Sequence, residues 1–480
     1  MLAAVQASSL KGSRPNIIFI LTDDQGYGDV SIHGNPVLKT PNLDRLHTES
    51  IRFTDFHVSP TCAPTRSALL TGRHEFKNGV THTILERERL TLQAATLAQV
   101  LKSAGYATGI FGKWHLGDEM AYQPNQRGFD EVFIHGGGGI GQTYPGSCGD
   151  APGNTYFDPV MLHNGRFEKT SGFCTDVLFA RATSWIDSTR KKGPFFAYVA
   201  CNAPHSPYTA RPQDAALYEG LVDAKDLAHF FGMIHNIDQN LGNLLSQLSA
   251  LGIARNTLVV FMSDNGGTAG VRLFNAGMRG SKGTAFLGGT RAISFWHWPE
   301  RLQPADCPAL TAHIDVFPTM AELAGARLDR NVRQQVEGRS LLPLLSNPLS
   351  ATWTDRVLFT HLGRWPKYAD PDQSKFAMCS IRRGRWHLVS AKGGATPKWQ
   401  LFDVQTDVAE LRNVAASNLG IVADLAVAYD HWWLDIKPSL INEQVAGPDI
   451  NPFQSLYYRQ FGGGPSADDF RRMAPIRRQP

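Results

Sequence analysis

Four short apolar runs, each halted by a polar cluster, constrain this chain more than any other feature. They are 16–21 (NIIFIL), 106–111, 195–201 (FFAYVAC) and 257–262 (TLVVFM). Each has the length and β-rich composition of a buried strand. Between them lie helical signals: 97–104 is closed by Gly105 in a C-terminal capping position, and 226–251 carries a helical period. Uniformly apolar strands alternating with amphipathic helices predict an α/β fold, a large mostly parallel or mixed sheet sandwiched by helices. In such sheets ligands bind beyond the carboxyl ends of the strands. Here those ends read Thr22-Asp23-Asp24, Gly112-Lys113, Asn202-Ala203-Pro204-His205 and Ser263-Asp264-Asn265. One polar ending is ordinary. Four with complementary chemistry locate a site.

At 480 residues the chain exceeds what one hydrophobic core serves. After Asn347 the texture changes to short strands separated by Gly and charged turns, with a hairpin through Arg383-Gly384 and an amphipathic helix over 419–436. We therefore expect a main domain over 15–347 and a small antiparallel sheet with a helix over 348–445. The remainder, 446–480, reads as a surface-wrapping or partly mobile extension. The 42% apolar and 19% charged composition excludes disorder and coiled coil, and no apolar run approaches the ~20 residues of a membrane span. A net charge of +4 without a dense Lys/Arg stripe argues against nucleic acid. Six cysteines, none in a CxxC pair, are too few for a disulfide scaffold and ill-placed for zinc. Cys148 and Cys174 flank a loop-rich stretch and fit either a bridge or two buried thiols. Residues 2–7 (LAAVQA) read as the tail of an export signal, implying a periplasmic or secreted protein; without such a signal it would be cytoplasmic.

The segment Cys62-Ala63-Pro64-Thr65-Arg66 carries the most pointed chemistry. Pro64 suits a first helical turn, which sets Cys62 just before a helix N-terminus and Arg66 one turn later on the same face. A positive helix end plus a guanidinium forms an anion site. A buried Cys beside a surface Arg is the plain alternative, and the short Cys–Arg spacing excludes a cysteine-phosphatase loop. Taken alone, Asp23-Asp24 reads as an Asx turn or cap, and Asp264-Asn265-Gly266-Gly267 as a tight turn. Their joint placement at strand ends favours metal.

This segment, with Thr71-Gly72-Arg73 after it, closely resembles the C-x-P-x-R…T-G-R signature of the type I sulfatases in the alkaline phosphatase superfamily. The runs 16–29 (NIIFILTDDQGYGD), 105–115 (GYATGIFGKWH), 202–205 (NAPH), 263–266 (SDNG) and 336–345 (VEGRSLLPLL) resemble further signatures in the family's order. The resemblance implies an alkaline-phosphatase-like fold. It also implies that a separate formylglycine-generating maturation enzyme oxidises Cys62 to Cα-formylglycine, whose hydrate is the nucleophile. One hydroxyl attacks sulfur, and the second lets the aldehyde re-form as sulfate leaves, an exit that Ser would lack. Asp23, Asp24, Asp264 and Asn265 match the ligands of one Ca²⁺, all oxygen donors suited to a hard ion. Lys113 and His115 resemble the groups that clamp sulfate and deprotonate the intermediate, and His205 and Lys282 those that contact the sulfate or bridging oxygen and assist its departure, while Arg66, Lys113 and Lys282 can neutralise the developing charge. Leu287 departs from the pattern, since the family usually has Glu before the Gly288-Gly289 pair.

The expected activity is hydrolysis of a sulfate monoester, on a sulfated carbohydrate or an aryl sulfate, by S–O cleavage. The alternatives are a phosphodiesterase or phosphonate monoester hydrolase of the same superfamily, or a sulfated-ligand binding protein with Cys62 unconverted. The glycine run after His135 reads as a loop beside the cleft, not a dinucleotide site. His361, Arg364, Trp365 and Lys367 are candidates for the substrate entrance, with an exposed polar loop as the default. Trp432 and Trp433 read as packing residues.

Overall fold

Strand Asn16–Thr22 lies near the middle of a ten-stranded sheet, and all seven of its residues are buried. Ile17, Phe19 and Leu21 enter one core while Ile18 and Ile20 enter another on the opposite face. The side-chain period of two thus fills two separate cores, which is why the run is apolar throughout. The computed structural model describes residues 10–350, 352–473 and 476; the export-signal expectation at 2–7 lies outside them.

The strands run, edge to edge, Ala305–Cys307, Ile51–Phe53, Ser294–His297, Thr257–Ser263, Asn16–Thr22, Phe195–Ala200, Ala107–Lys113, Glu131–His135, Val160–His163 and Arg166–Lys169. The five from Thr257–Ser263 to Glu131–His135 are parallel to their neighbours within that group. Ser294–His297 and Val160–His163 pack antiparallel against this block, so the sheet is mixed. Helices Cys174–Thr189 and Lys225–Ala250 cover one face through Leu178, Ile237 and Leu241. Helices Cys62–Thr71, Leu97–Ser103 and Val316–Leu323 cover the other through Leu69, Leu101 and Phe317. No helix among the described residues is long and apolar enough to cross a membrane.

A second, four-stranded antiparallel sheet follows: Val357–His361, Cys379–Arg383, Trp386–Ser390 and Gln400–Asp403. Helix Leu419–Ile436 lies on it with Leu425, Tyr429, Trp432 and Trp433 buried, so the tandem tryptophans are packing residues. Phe76, from the first half of the chain, joins that same core.

Within the C-terminal stretch, Pro452–Phe461 and Ala467–Met473 are helices. Phe453 is fully buried against Phe167, and the Gln460 side chain bonds both the N–H and the carbonyl of Phe167 at 2.8 and 2.7 Å. Those bonds satisfy a strand edge that would otherwise lie open. Of the two readings of Cys148 and Cys174, the structure has the buried thiols, and all six cysteines are free and buried. Cys148 Sγ instead accepts the Gly117 N–H.

Replacing Ile20 by Ala removes packing atoms where the central strand meets the 225–250 helix. We expect a loss of about 2–5 kcal/mol, read as a lower thermal unfolding midpoint with unchanged far-UV dichroism.

Candidate active site

Four adjacent parallel strands, Thr257–Ser263, Asn16–Thr22, Phe195–Ala200 and Ala107–Lys113, end at one place. Parallel pairing in register forces their carboxyl ends together, which converts four distant sequence positions into one cluster. Gly112 is essential to the last of these strands. Its φ is +116°, and a Cβ there would lie 2.0 Å from the Ala200 carbonyl oxygen.

The predicted groups converge. Asp24 donates its N–H to Asp264 Oδ1 at 3.3 Å, and Asn265 Nδ2 donates to Asp24 Oδ1 at 2.9 Å. Lys113 Nζ reaches Asp23 Oδ2 at 2.6 Å, Lys282 Nζ reaches Asp24 Oδ1 at 2.5 Å, and Arg66 Nη2 reaches Asp264 Oδ2 at 2.7 Å. Three acids and three bases therefore interleave where almost no water reaches. Burial alone would raise all three carboxyls. It prevails at Asp23 in spite of Lys113, and with the help of Asp23 it pushes Asp264 up to about 6. At Asp24 the Lys282 ammonium overrides burial and holds the carboxyl well below the ordinary range.

The cluster also fits a cation. Asp23 Oδ1 and Asn265 Oδ1 are buried with no hydrogen-bond partner, although buried carbonyl and carboxylate oxygens are normally satisfied. Donor atoms of Asp23, Asp24 and His205 lie within 4.8 Å of one another, and Asp264 and Asn265 bond Asp24 directly. Asp264 Oδ2, however, is turned to Arg66. Oxygen donors of this kind suit a hard ion such as Ca²⁺.

Cys62 opens its helix instead of preceding it, with extended Thr61 as the cap. Pro64 therefore sits in the third helical position, and the unpaired N–H groups of the first turn lie beside the Cys62 side chain. Cys62, His115, His205 and Lys282 together line a cleft of about 280 Å³. Two carbonyls set the histidine tautomers. His115 Nε2 lies 2.8 Å from the Thr83 oxygen and must donate to it, which leaves Nδ1 as a buried lone pair with no partner. His205 Nδ1 donates to the Ser206 oxygen at 2.7 Å, leaving Nε2 as an acceptor 3.8 Å from Asp24. Burial and Lys113 hold His115 well below its ordinary value; burial and Lys282 push His205 down to about 3. Both rings are neutral.

The glycine run does pass beside the cleft. A Cβ at Gly138 would meet His115 Cε1 at 2.8 Å, and one at Gly139 would meet His205 Cε1 at the same distance. Of the four candidates at the entrance, Arg364 lines the cleft. His361 and Trp365 are instead buried beside Trp433, and Lys367 is taken up by Glu86 at 2.6 Å, because the aromatic core beneath them claims their side chains.

Two contributors carry no signal in the sequence. Tyr156 OH donates to the His205 carbonyl at 2.6 Å and accepts from Asn202 Nδ2, anchoring the NAPH turn. Glu410 accepts the Leu287 N–H at 2.8 Å and contacts His387 at 2.7 Å, while its carbonyl accepts from Arg279. A carboxylate from the segment between the small sheet's last strand and its helix thus holds the loop bearing Lys282, at the point where Leu287 departs from the family pattern. Both act over long sequence separations through isolated residues.

Lys113→Met leaves the buried Asp23 with only the more distant Arg66, at 3.9 Å, and should lower stability by about 3 kcal/mol. The Asp23→Asn/Lys113→Met double variant should recover much of that loss; thermal unfolding of the two variants checks it.

Comparison with known proteins agrees with this architecture. The sulfatase family profile matches residues 15–326, and the profile described as N-sulphoglucosamine sulphohydrolase, C-terminal, matches 290–425. Arylsulfatase J of Mus musculus is 33% identical over 356 residues, which are 73% of this chain and 59% of that protein. Arylsulfatase A of Homo sapiens is 31% identical over 417 residues, 80% of this chain and 76% of that protein. The crystal structure of Ps i-CgsB, also solved in complex with k-i-k-neocarrahexaose, superposes with TM-score 0.76 at 29% identity, covering 93% of this chain and 97% of that one. The two sheets and their helices are those of the alkaline-phosphatase-like fold, and this chain belongs to the sulfatase family of sulfuric ester hydrolases.

Proposed function

We propose that this protein hydrolyses sulfate monoesters of carbohydrates by S–O cleavage, with position 62 as nucleophile after conversion of Cys62 to formylglycine. The observation that supports it is the gathering of Asp23, Asp24, Asp264, Asn265, Arg66, Lys113 and Lys282 around the start of one helix whose first residue is Cys62. Sugar is favoured over aryl sulfate by the likeness to a structure solved with k-i-k-neocarrahexaose. Export from the cytoplasm belongs to the same proposal and rests on the character of residues 2–7.

The residues divide the work by charge and proton state. A sulfate monoester brings one negative charge, and its transition state concentrates charge on the equatorial and leaving oxygens. Arg66, Lys113 and Lys282 surround that charge in a water-poor cleft, where fixed cations act more strongly than in water. Asp23, Asp24, Asp264 and Asn265 would hold the cation, which when bound polarises a sulfate oxygen and acidifies the nucleophile. The hydrate at position 62 supplies two hydroxyls on one carbon.

Each proton has a defined atom. His205 carries its proton on Nδ1, committed to Ser206, so its Nε2 accepts and cannot donate. Lys282, kept charged against burial by Asp24, is the donor to the departing oxygen. His115 presents the lone pair of Nδ1, the atom at which a proton is taken when sulfate is released.

Cys62→Ala should abolish turnover of sulfate esters while leaving the melting curve intact; near-normal activity would refute the nucleophile. Peptide mapping of active protein should find an aldehyde in place of the thiol at position 62. Asp264→Ala should reduce bound calcium and activity together, by roughly 10²–10³-fold in rate. Unchanged calcium content by elemental analysis would overturn the ligand assignment. Assays on sulfate, phosphodiester and phosphonate esters of the same alcohol separate this activity from its superfamily alternatives.

A further inference from the structure

The cleft that carries the machinery above also carries a cation that the chemistry does not use. Arg364 lies on the loop after strand Val357–His361 and lines the same cavity as Cys62, His115, His205 and Lys282. It is exposed, and no carboxylate pairs with it among the described residues. No Asp or Glu lines the cavity among the described residues either. An unpaired guanidinium inside a cavity is unlike the other arginines of this chain that have taken carboxylate partners, such as Arg66, Arg87 and Arg356.

The backbone beneath Arg364 is clamped on both sides. Arg87, fully buried, donates from one guanidinium to the carbonyls of Gly363 and Trp365, the latter at 2.7 Å. Arg87 is itself paired with Glu443 at 3.0 Å and stacked on the Trp365 ring at 4.6 Å. Trp365 Nε1 bonds Glu443 Oε2, and Gly363 N–H bonds His361 Nδ1. A Cβ at Gly363 would lie 2.0 Å from the Thr81 oxygen, so the loop sits hard against residues 81–84. That segment forms the cleft wall, and its Thr83 carbonyl orients His115. The position of Arg364 relative to the sulfate site is therefore determined by a buried network, which lowers the ordering cost of using it as a contact. His82 stands beside it in the cleft. Its Nδ1 accepts the Thr83 and Ile84 N–H groups, at 2.7 and 3.2 Å, so a neutral ring presents Nε2–H as a second donor.

A rim of donors with no acid to neutralise it is built for negative charge, and on the proposed function the sulfate to be cleaved would sit in the same cleft. We propose that Arg364, with His82 beside it, binds a second anionic group of the substrate, a carboxylate or a further sulfate, so that the enzyme selects multiply charged sulfated saccharides over esters with a single charge. This rests on the sulfatase function above and specifies its substrate class. Arg suits the task, because its planar fork binds either oxyanion in two-point fashion.

The test compares matured wild type with Arg364→Gln and Arg364→Lys on four probes: 4-methylumbelliferyl sulfate, a monosulfated neutral galactose, a disulfated galactose disaccharide, and a monosulfated disaccharide bearing a uronic acid. For Arg364→Gln, kcat/KM should fall about 10–100-fold more on at least one doubly charged probe than on the singly charged ones, mainly through KM. Arg364→Lys should recover part of that selectivity. Loss on the disulfated probe identifies sulfate as the second group, and loss on the uronate identifies carboxylate. Equal losses on all four probes, or no added loss on either doubly charged probe, would overturn the proposal. Calorimetric binding of the same saccharides to Cys62→Ala and to Cys62→Ala/Arg364→Gln provides a readout free of turnover. If wild type hydrolysed no sulfate ester, the sulfatase function would fail, while the calorimetric arm would still decide Arg364: weakened binding of a doubly charged saccharide supports it, and unchanged binding overturns it.

Discussion

Three buried ion pairs, Asp23–Lys113, Asp24–Lys282 and Asp264–Arg66, hold the site together and limit what it can be. Each charge is withdrawn from water, so each depends on a partner carried by a different part of the chain. Removing any one deprives a buried charge of its nearest partner, a loss of about 3–5 kcal/mol for a buried pair, although Asp23 keeps Arg66 at 3.9 Å. The carboxylates come from the ends of two neighbouring parallel strands, and the cations come from a third strand end, a helix and a loop. Parallel pairing brings the strand ends together without any help from the site. The charge pairs then fix where the helix bearing Cys62 and the loop bearing Lys282 must lie.

Much of this was legible in the sequence because strand-end position is a local property. The runs at 16–21 and 257–262 show their burial on both faces through uniform apolarity, and the polar residues after them fall at the sheet's carboxyl edge. Cys62 and Arg66 declare themselves through helical spacing. The start of that helix differs from expectation because Pro needs only to lack an N–H partner, and the third position meets that condition as well as the first.

Contacts between distant, isolated residues left no such trace. Tyr156 fixes the NAPH turn and Glu410 fixes the Lys282 loop, yet each is a single side chain with no periodic context. His361, Trp365 and Lys367 look like entrance residues in sequence because polar and aromatic groups cluster there. Their side chains are claimed instead by the aromatic core of the small sheet and by Glu86, and that competition is visible only in three dimensions. The helix Pro452–Phe461 was hidden for a related reason. Its amphipathic face is short, and it becomes stable by covering the exposed edge at Phe167.

The two kinds of element carry different burdens. Most of the charged cluster sits on strand ends and a helix, with Lys282 alone on a loop, and neighbouring backbone fixes such side chains closely enough for charge stabilisation to act without reorganisation. Further lining of the cleft comes from residues 82–84, 138–147 and Arg364, on loops outside the sheet. Loops of this kind are ordinarily mobile, and here one of them is stiffened by Arg87, a buried cation whose bonds span from the first hundred residues to Gly363, Trp365 and Glu443. That network joins the small sheet to the wall beside Cys62. The small domain thus bears on the cleft at two points, on the wall at 81–84 through Arg87 and on the Lys282 loop through Glu410.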